Sequence, residues 1–287
     1  MNRTEIAVRA QPEWLRLLNV AQRLPAGARV VHTGCGTSFH AAQTGGWALQ
    51  ALDAAVDPPG ADVMVCVSHE GETELTLKAA ERFAGAVWLV TGAPDSPLAT
   101  LADEVVVCTP AIETSWCHTV SYTCAVTALQ QLHGVDTHGF PDEVEAALAQ
   151  SVSAPPQEKV IVVGSGVDWP TAQEAALKLR EGARVDAVAY QTEQILHGYF
   201  APVDESYVAY VLLGGAGLRR DRAEEAVTTL EAIGCATTRL PGGRPVADIV
   251  FFHLLTLGLA EARGVDPDSI GRAEGTALGR AAGVYPG

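Results

Sequence analysis

Glu174, Lys178 and Glu181 stand at positions i, i+4 and i+7 of one run, and His197 follows sixteen residues after Glu181. Residues at that spacing share one face of a helix. Two carboxylates, an amine and an imidazole are side chains suited to moving protons near neutral pH. On a sugar, a carboxylate removes a proton from carbon, and an imidazole protonates or deprotonates the ring oxygens. The same residues also have plain readings. Glu174 with Lys178 matches a solvated i,i+4 pair worth about 0.2–0.5 kcal/mol. His197, just before Gly198, matches a last helical residue favoured by the helix dipole.

The segment bearing these residues opens as an apolar run, Val160-Ile161-Val162-Val163, and turns on Gly164-Ser165-Gly166. A buried strand that feeds a glycine turn and then a helix start is how α/β proteins build sites for anionic or polyhydroxylated ligands. Similar runs lie at 28–32 before Gly34-Cys35-Gly36, at 63–67 before Ser68, at 86–90 before Thr91-Gly92, and at 104–108 before Thr109-Pro110. Near-continuous apolar strands alternating with helical patterns predict parallel sheets covered on both faces. The Gly164 turn echoes the Gly34 turn at an offset of 130 residues, and 207–213 echoes 63–67. An amphipathic helix is expected over 223–233, ending at Gly234. The reading is an α/β protein of two similar doubly wound parallel-sheet domains with flanking helices. It places an N-terminal helical segment in 1–21, with a helix around 12–24, and domains at 22–150 and 156–287. A proline-bearing linker, Ser-Val-Ser-Ala-Pro-Pro-Gln, begins at Ser151.

Three further elements are candidate binding loops. Gly34-Cys35-Gly36-Thr37-Ser38 is not a dinucleotide fingerprint. Its backbone N–H groups and two hydroxyls at a helix start suit an anion or sugar hydroxyls, or Thr37 or Ser38 simply caps the helix. Ser68-His69-Glu70-Gly71-Glu72-Thr73 follows a strand, at the end where doubly wound sheets bind ligands. The third is Glu113-Thr114-Ser115-Trp116-Cys117-His118-Thr119, before a helix beginning near Ser121. Cys35 at a helix start, with His69 or His40, is also a candidate nucleophile.

Composition narrows the classes. The 287 residues are 48% apolar and carry a net charge of −15, which argues against a nucleic-acid surface or attraction to anionic membranes. Lysines are confined to Lys78, Lys159 and Lys178. The first residues lack the apolar core of a signal peptide, and no apolar run approaches the roughly 18–20 residues of a membrane span. Six cysteines without a CxxC pair read as reduced thiols of a cytoplasmic protein. The histidines show no tight ligand spacing, so neither a metal nor another cofactor is expected.

From about residue 20 onward the chain resembles a pair of sugar isomerase (SIS) domains, similar to the isomerase half of glucosamine-6-phosphate synthase. The family's CGTS turn stands as Cys35-Gly36-Thr37-Ser38. Its SxSGET phosphate loop stands, altered, as Ser68-His69-Glu70-Gly71-Glu72-Thr73. Its EGALKLKE helix stands as Glu174-Ala175-Ala176-Leu177-Lys178-Leu179-Arg180-Glu181, and its HGP segment begins at His197-Gly198. The resemblance implies a sugar or sugar-phosphate substrate held where the strand ends of both halves meet in one crevice. It implies Glu181 as the base between C1 and C2, and His197 opening the sugar ring, reaching in from a second subunit of a homodimer. Lys178 and Glu174 would hold neighbouring charges and hydroxyls. Cys35, Gly36, Thr37, Ser38, Ser68, His69, Glu70, Thr73, His118 and Thr119 would bind substrate.

The departures from the family are specific. Glu70 replaces a serine, and a carboxylate about 4 Å from a phosphate costs about 1 kcal/mol even in water. His118-Thr119-Val120 replaces an S-T-K loop. The tail from Gly264 has no lysine for a Schiff base, with Arg272 the nearest match, and arginine cannot form that imine. The resemblance thus implies an aldose–ketose isomerase or an amino-sugar deaminase or deglycase, usually of phosphosugars. The alternative is a non-catalytic sugar-phosphate sensor with a degenerate site.

Overall fold

The structure, a computed structural model, describes residues 1–270. The chain divides into two compact units, Arg3–Glu145 and the described residues from Ala146 onward.

The first unit opens with α1 (Arg3–Leu17), followed by β1 (Val30–Gly34), α2 (Thr37–Gln43), β2 (Ala48–Gln50), α3 (Ala51–Val56), β3 (Val63–Val67), α4 (Glu74–Arg82), β4 (Ala86–Thr91), β5 (Glu104–Val107) and α5 (Val120–Leu132). The next helix, α6 (Phe140–Leu148), contains the boundary between the units. The second unit continues with β6 (Lys159–Val163), α7 (Trp169–Ala183), β7 (Asp186–Tyr190), the single turn α8 (Thr192–Gln194), β8 (Tyr207–Leu212), α9 (Leu218–Ala232), β9 (Ala236–Leu240) and α10 (Pro245–Arg263).

Each unit holds one parallel sheet. The orders are β2-β1-β3-β4-β5 and β7-β6-β8-β9, so in both the second strand flanks the first on one side and the third strand on the other. The apolar runs explain which strands are central. Every residue of β3 is buried, and Val160 to Val163 of β6 are inaccessible to solvent. Strands covered on both faces need no polar alternation.

The two glycine turns do the same mechanical job. A Cβ on Gly34 would lie 2.8 Å from the Ser38 carbonyl carbon, and one on Gly164 would lie 2.5 Å from the Asp168 carbonyl oxygen. In each unit the chain leaves the first strand and doubles back so closely that only hydrogen fits at that carbon.

Three expectations change here. The first helix lies at Arg3–Leu17 rather than 12–24, with Pro12 inside it. Its buried stripe of Thr4, Ala7, Val8, Gln11, Pro12 and Leu15 packs on α5, and that packing outweighs the helix-breaking preference of proline. The helix expected over 223–233 begins earlier, at Leu218. The chain also holds a long apolar run. α10 spans 19 residues, with a mean hydropathy of 1.5 over its most apolar window, enough by length and composition to cross a membrane. It packs against α7, and 61% of that window is buried. With Asp248 and His253 buried on it, α10 reads as the core helix of its unit.

Candidate active site

In the first unit, the loops after β1, β3 and β5 carry the residues singled out from the sequence. Gly36 adopts φ 53°, and the first turn of α2 folds back on the loop, with Ser38 N–H donating to Cys35 O at 3.1 Å. The Cys35 thiol is partly buried, 3.9 Å from Thr76 Oγ1. Burial pushes its pKa up, which corrects the expectation of a nucleophile activated at a helix start.

Ser68 is buried, and its Oγ accepts from Gly71 N–H at 3.2 Å and lies 3.5 Å from Thr73 Oγ1. His69 Nε2 accepts from Glu113 N–H at 2.9 Å, so the proton sits on Nδ1. That nitrogen is buried with no partner among the described residues. Burial, reinforced by the nearby His118, pushes the His69 pKa down to about 4. The two rings meet edge-on with centroids 5.6 Å apart. His69 therefore braces one loop against the next, while Glu70 is exposed.

Glu113 is 4% exposed, and its carboxylate accepts four hydrogen bonds. Thr119 N–H (2.8 Å) and Thr119 Oγ1 (3.2 Å) donate to one oxygen. Ser121 N–H (2.8 Å) and Ser121 Oγ (2.6 Å) donate to the other. This carboxylate holds the N-terminus of α5, where backbone N–H groups and the helix dipole favour negative charge. The Thr119 hydroxyl, a substrate donor in the sequence reading, is thereby committed within the protein. His118 sits in the left-handed region at φ 40°, its Nδ1 3.4 Å from Ser121 Oγ.

The second unit gathers the proton-transfer residues on α7. Pro170 in the first turn suits a helix start. Glu174 and Lys178 are completely buried, and the Glu181 side chain is 25% exposed. Lys178 Nζ lies 2.7 Å from Glu181 Oε2 and 3.4 Å from Glu174 Oε1. Two carboxylates thus share one ammonium out of water, where such a pair persists only with close partners. Opposite them, α10 places His253, which the sequence reading missed. A lone histidine in an apolar helix carries no local signal.

His197 falls elsewhere. Its side chain is 75% exposed, with Nε2 3.1 Å from Glu193 Oε2. Glu193 also accepts from Arg222 Nε at 2.6 Å, and that arginine holds its carboxyl below the usual range. The helix is broken there, with φ −111° at His197 and 107° at Gly198. His197 is thus not a regular helical residue. No hydrogen bond or ion pair joins it to Glu181 among the described residues.

Asp168, also unremarked in the sequence, enters α7 fully buried. Its Oδ1 accepts from Gly243 N–H at 2.6 Å, and Oδ2 has no partner among the described residues. Burial pushes its pKa up to about 6. Among the described residues, no group of three or more His, Cys, Asp or Glu side chains is arranged to hold a metal ion. Arg272 lies outside the described residues.

No model of a protein family matches the chain. The glutamine–fructose-6-phosphate aminotransferase (isomerizing) of Aeropyrum pernix is 27% identical over 317 residues, covering 88% of this chain and 51% of that protein. By sequence, the chain is similar to part of this aminotransferase. It spans about half the length of the curated relatives it matches.

Solved structures share the fold. The C-terminal domain of the Francisella tularensis glucosamine–fructose-6-phosphate aminotransferase superposes with a TM-score of 0.78 at 19% identity, covering 93% of this chain and 97% of that one. A Thermotoga maritima glucosamine-6-phosphate deaminase gives 0.77 at 18%, covering 93% and 97%. The Escherichia coli tagatose-6-phosphate ketose/aldose isomerase gives 0.76 at 17%, covering 94% and 95%. Each of these matches covers residues of both units. The expectation of two separate SIS domains gives way to a single SIS-like fold that comprises both units, with one parallel sheet in each.

Proposed function

We propose that this chain is an enzyme of phosphosugar metabolism, an aldose–ketose isomerase or an amino-sugar-phosphate deaminase, with Glu181 as its base. The observation that carries the reading is the Glu174–Lys178–Glu181 row. Two members are sealed from water and the third, Glu181, is partly open at its end. A base must be accessible to the carbon it deprotonates, and it must be ionised beforehand. The Lys178 ammonium, 2.7 Å away, holds the Glu181 side chain in place at that opening.

In the proposed step, Glu181 removes a proton from the carbon beside the open-chain carbonyl. The C–H electrons form the carbon–carbon double bond of an enediol, and the carbonyl oxygen takes a proton. Returning the first proton to the neighbouring carbon, while the second hydroxyl of the enediol gives up its proton and becomes the new carbonyl, interconverts aldose and ketose. With an amino group on that carbon, water replaces it and ammonia leaves. Glu174 stays paired with Lys178 as the fixed counter-charge.

Exposed His197, at a break in the helix, suits a group that serves another copy of the chain, and we include a homodimer in the proposal. Ser68, Thr73 and the Gly34–Ser38 turn supply donors for an anionic substrate. Glu70 is exposed, where a rotamer change carries its charge away from a phosphate.

The test is solvent deuterium entering C1 or C2 of glucosamine-6-phosphate, fructose-6-phosphate and tagatose-6-phosphate, followed by NMR, together with ammonia release. E181Q should leave the circular dichroism spectrum and melting unchanged and abolish exchange. Exchange at the wild-type rate in E181Q overturns its role as base. Binding of these sugars by the wild type without exchange or ammonia favours the sensor instead. Mixing E181Q with H197N subunits should restore part of the activity if His197 acts across a dimer.

A further inference from the structure

The loops that follow β6, β8 and β9 come together at one end of the second sheet. In the order β7-β6-β8-β9 the chain leaves β6 first to one side and then to the other, so β6 and β8 flank the switch point. The crevice outside the strand ends at such a point is where doubly wound sheets take ligands. Its walls here are rich in glycine. Gly164-Ser165-Gly166 follows β6, and Gly214-Gly215-Ala216-Gly217 follows β8. The step proposed for Glu181 uses neither loop.

Arg219 lies across both. A Cβ on Gly166 would fall 2.5 Å from Arg219 Cζ, and one on Gly214 would fall 3.3 Å from Arg219 Cδ. Arg219 is exposed, and it makes no hydrogen bond or ion pair among the described residues. α9, of 15 residues, begins behind Gly217, which stands at φ 75° and gives the helix no side-chain cap. The N–H groups of Leu218, Arg219 and Arg220 precede the bond from Asp221 N–H to Gly217 O at 3.1 Å, so the helix itself supplies them no acceptor. Backbone donors at a helix start beside a guanidinium suit a phosphate.

Asp168 is a second feature of this crevice, independent of the helix. It is fully buried, with Oδ1 accepting from Gly243 N–H at 2.6 Å and Oδ2 left without a partner among the described residues. Oδ2 stands between the loops, 2.5 Å from where a Cβ on Gly214 would lie and 2.7 Å from one on Gly242. A buried acceptor without a donor is costly, and a sugar hydroxyl supplies such a donor. Neither Gly214 nor Gly242 has a side chain to bar the way, so a small movement of either loop admits a hydroxyl. Arg219, against the same Gly214, offsets the carboxylate charge where an anion would settle.

We propose that this crevice is a second ligand site, for a phosphate ester that also carries hydroxyl groups. Its phosphate would rest on Arg219 and the N-terminus of α9, and a hydroxyl would donate to Asp168. The site involves neither Glu181 nor the loops of the first unit.

The experiment is a proton–nitrogen NMR titration of the full chain with fructose-6-phosphate, and with methyl phosphate as an ester that lacks hydroxyls. Amide signals of Gly166 and of residues 215–220 should shift and saturate with fructose-6-phosphate. Methyl phosphate should bind there about tenfold more weakly. R219A, at an exposed position, should keep the wild-type melting curve and weaken the fructose-6-phosphate response of these amides about tenfold or more, with R219K recovering part of it. Amides that stay unmoved in wild type, or an R219A affinity equal to wild type, overturn the proposal. Equal affinity for the two esters overturns the part of Asp168 and with it the sugar-phosphate class. Saturable shifts at Gly166 and 215–220 with none at 68–73 sustain this site and count against phosphosugar binding in the first unit. Shifts at 68–73 alone do the reverse.

Discussion

Glu113 shows how one side chain changes meaning once its surroundings are known. In the sequence it is an acidic residue of a polar loop. In the fold its two oxygens are saturated by the N–H and hydroxyl groups of Thr119 and Ser121. E113Q would turn one acceptor oxygen into an amide NH2 group facing donors and remove the charge from the start of α5. We expect a loss on the order of 2–3 kcal/mol in denaturant unfolding, the usual size for breaking a buried charged hydrogen-bond set. Unchanged stability in E113Q would refute this role. Lys178 gives the same lesson. An i,i+4 partner that is trivial on a surface becomes the centre of a buried triad when α10 covers it.

At the scale of elements, strand–glycine–helix entry is the repeated device. Gly34→Ala or Gly164→Ala would press a methyl group against backbone, which cannot swing away as a side chain can. Each should cost about 1–3 kcal/mol, the range for overpacking. Gly34→Ala should also weaken binding of phosphosugars by displacing the Thr37 and Ser38 hydroxyls, read by calorimetry beside a melting curve. The apolar strands were legible because their runs are continuous and local. The run at 63–67 matches β3, and that at 86–90 falls one residue short of β4. No expectation covered β2, of three residues, β7, or β9, which is mostly exposed. Short or half-exposed strands owe their existence to a neighbour's unpaired edge, and a local pattern cannot carry that. The register of α1 was lost for a similar reason, since the stripe that fixes it is defined by α5.

Across the whole molecule, burial of histidines sets the response to acid. Burial pushes His32 and His69 down to about 4 and His253 to about 3, against 6.5 for an exposed ring. Below pH 6.5 the unfolded chain therefore binds protons that the folded chain refuses, and stability falls toward pH 4. Asp168 acts in the opposite sense. Its folded pKa of about 6 exceeds the ordinary 3.8, so the folded state holds that proton first and gains as pH drops through this window. His133 is lowered by burial as well and Asp248 raised, and four histidines against two aspartates predict a lower urea midpoint at pH 5 than at pH 7. D168N removes one opposing group and should lose more stability over that interval than wild type. A midpoint that rises on acidification, or a flatter profile in D168N, would contradict this account.

The amino-acid sequence by itself determined the parallel sheets, the glycine turns, the spacing of Glu174, Lys178 and Glu181, and the negative charge. Each of these is a property of neighbours along the chain, written in apolar runs, in the lack of a Cβ or in helical periodicity. Tertiary structure alone decided that Glu113 occupies Thr119, that His197 stands exposed beside Glu193, and that His253 is buried on the helix that covers α7. Burial and pairing depend on which segments pack together, and α10 reaches α7 from more than sixty residues away along the chain.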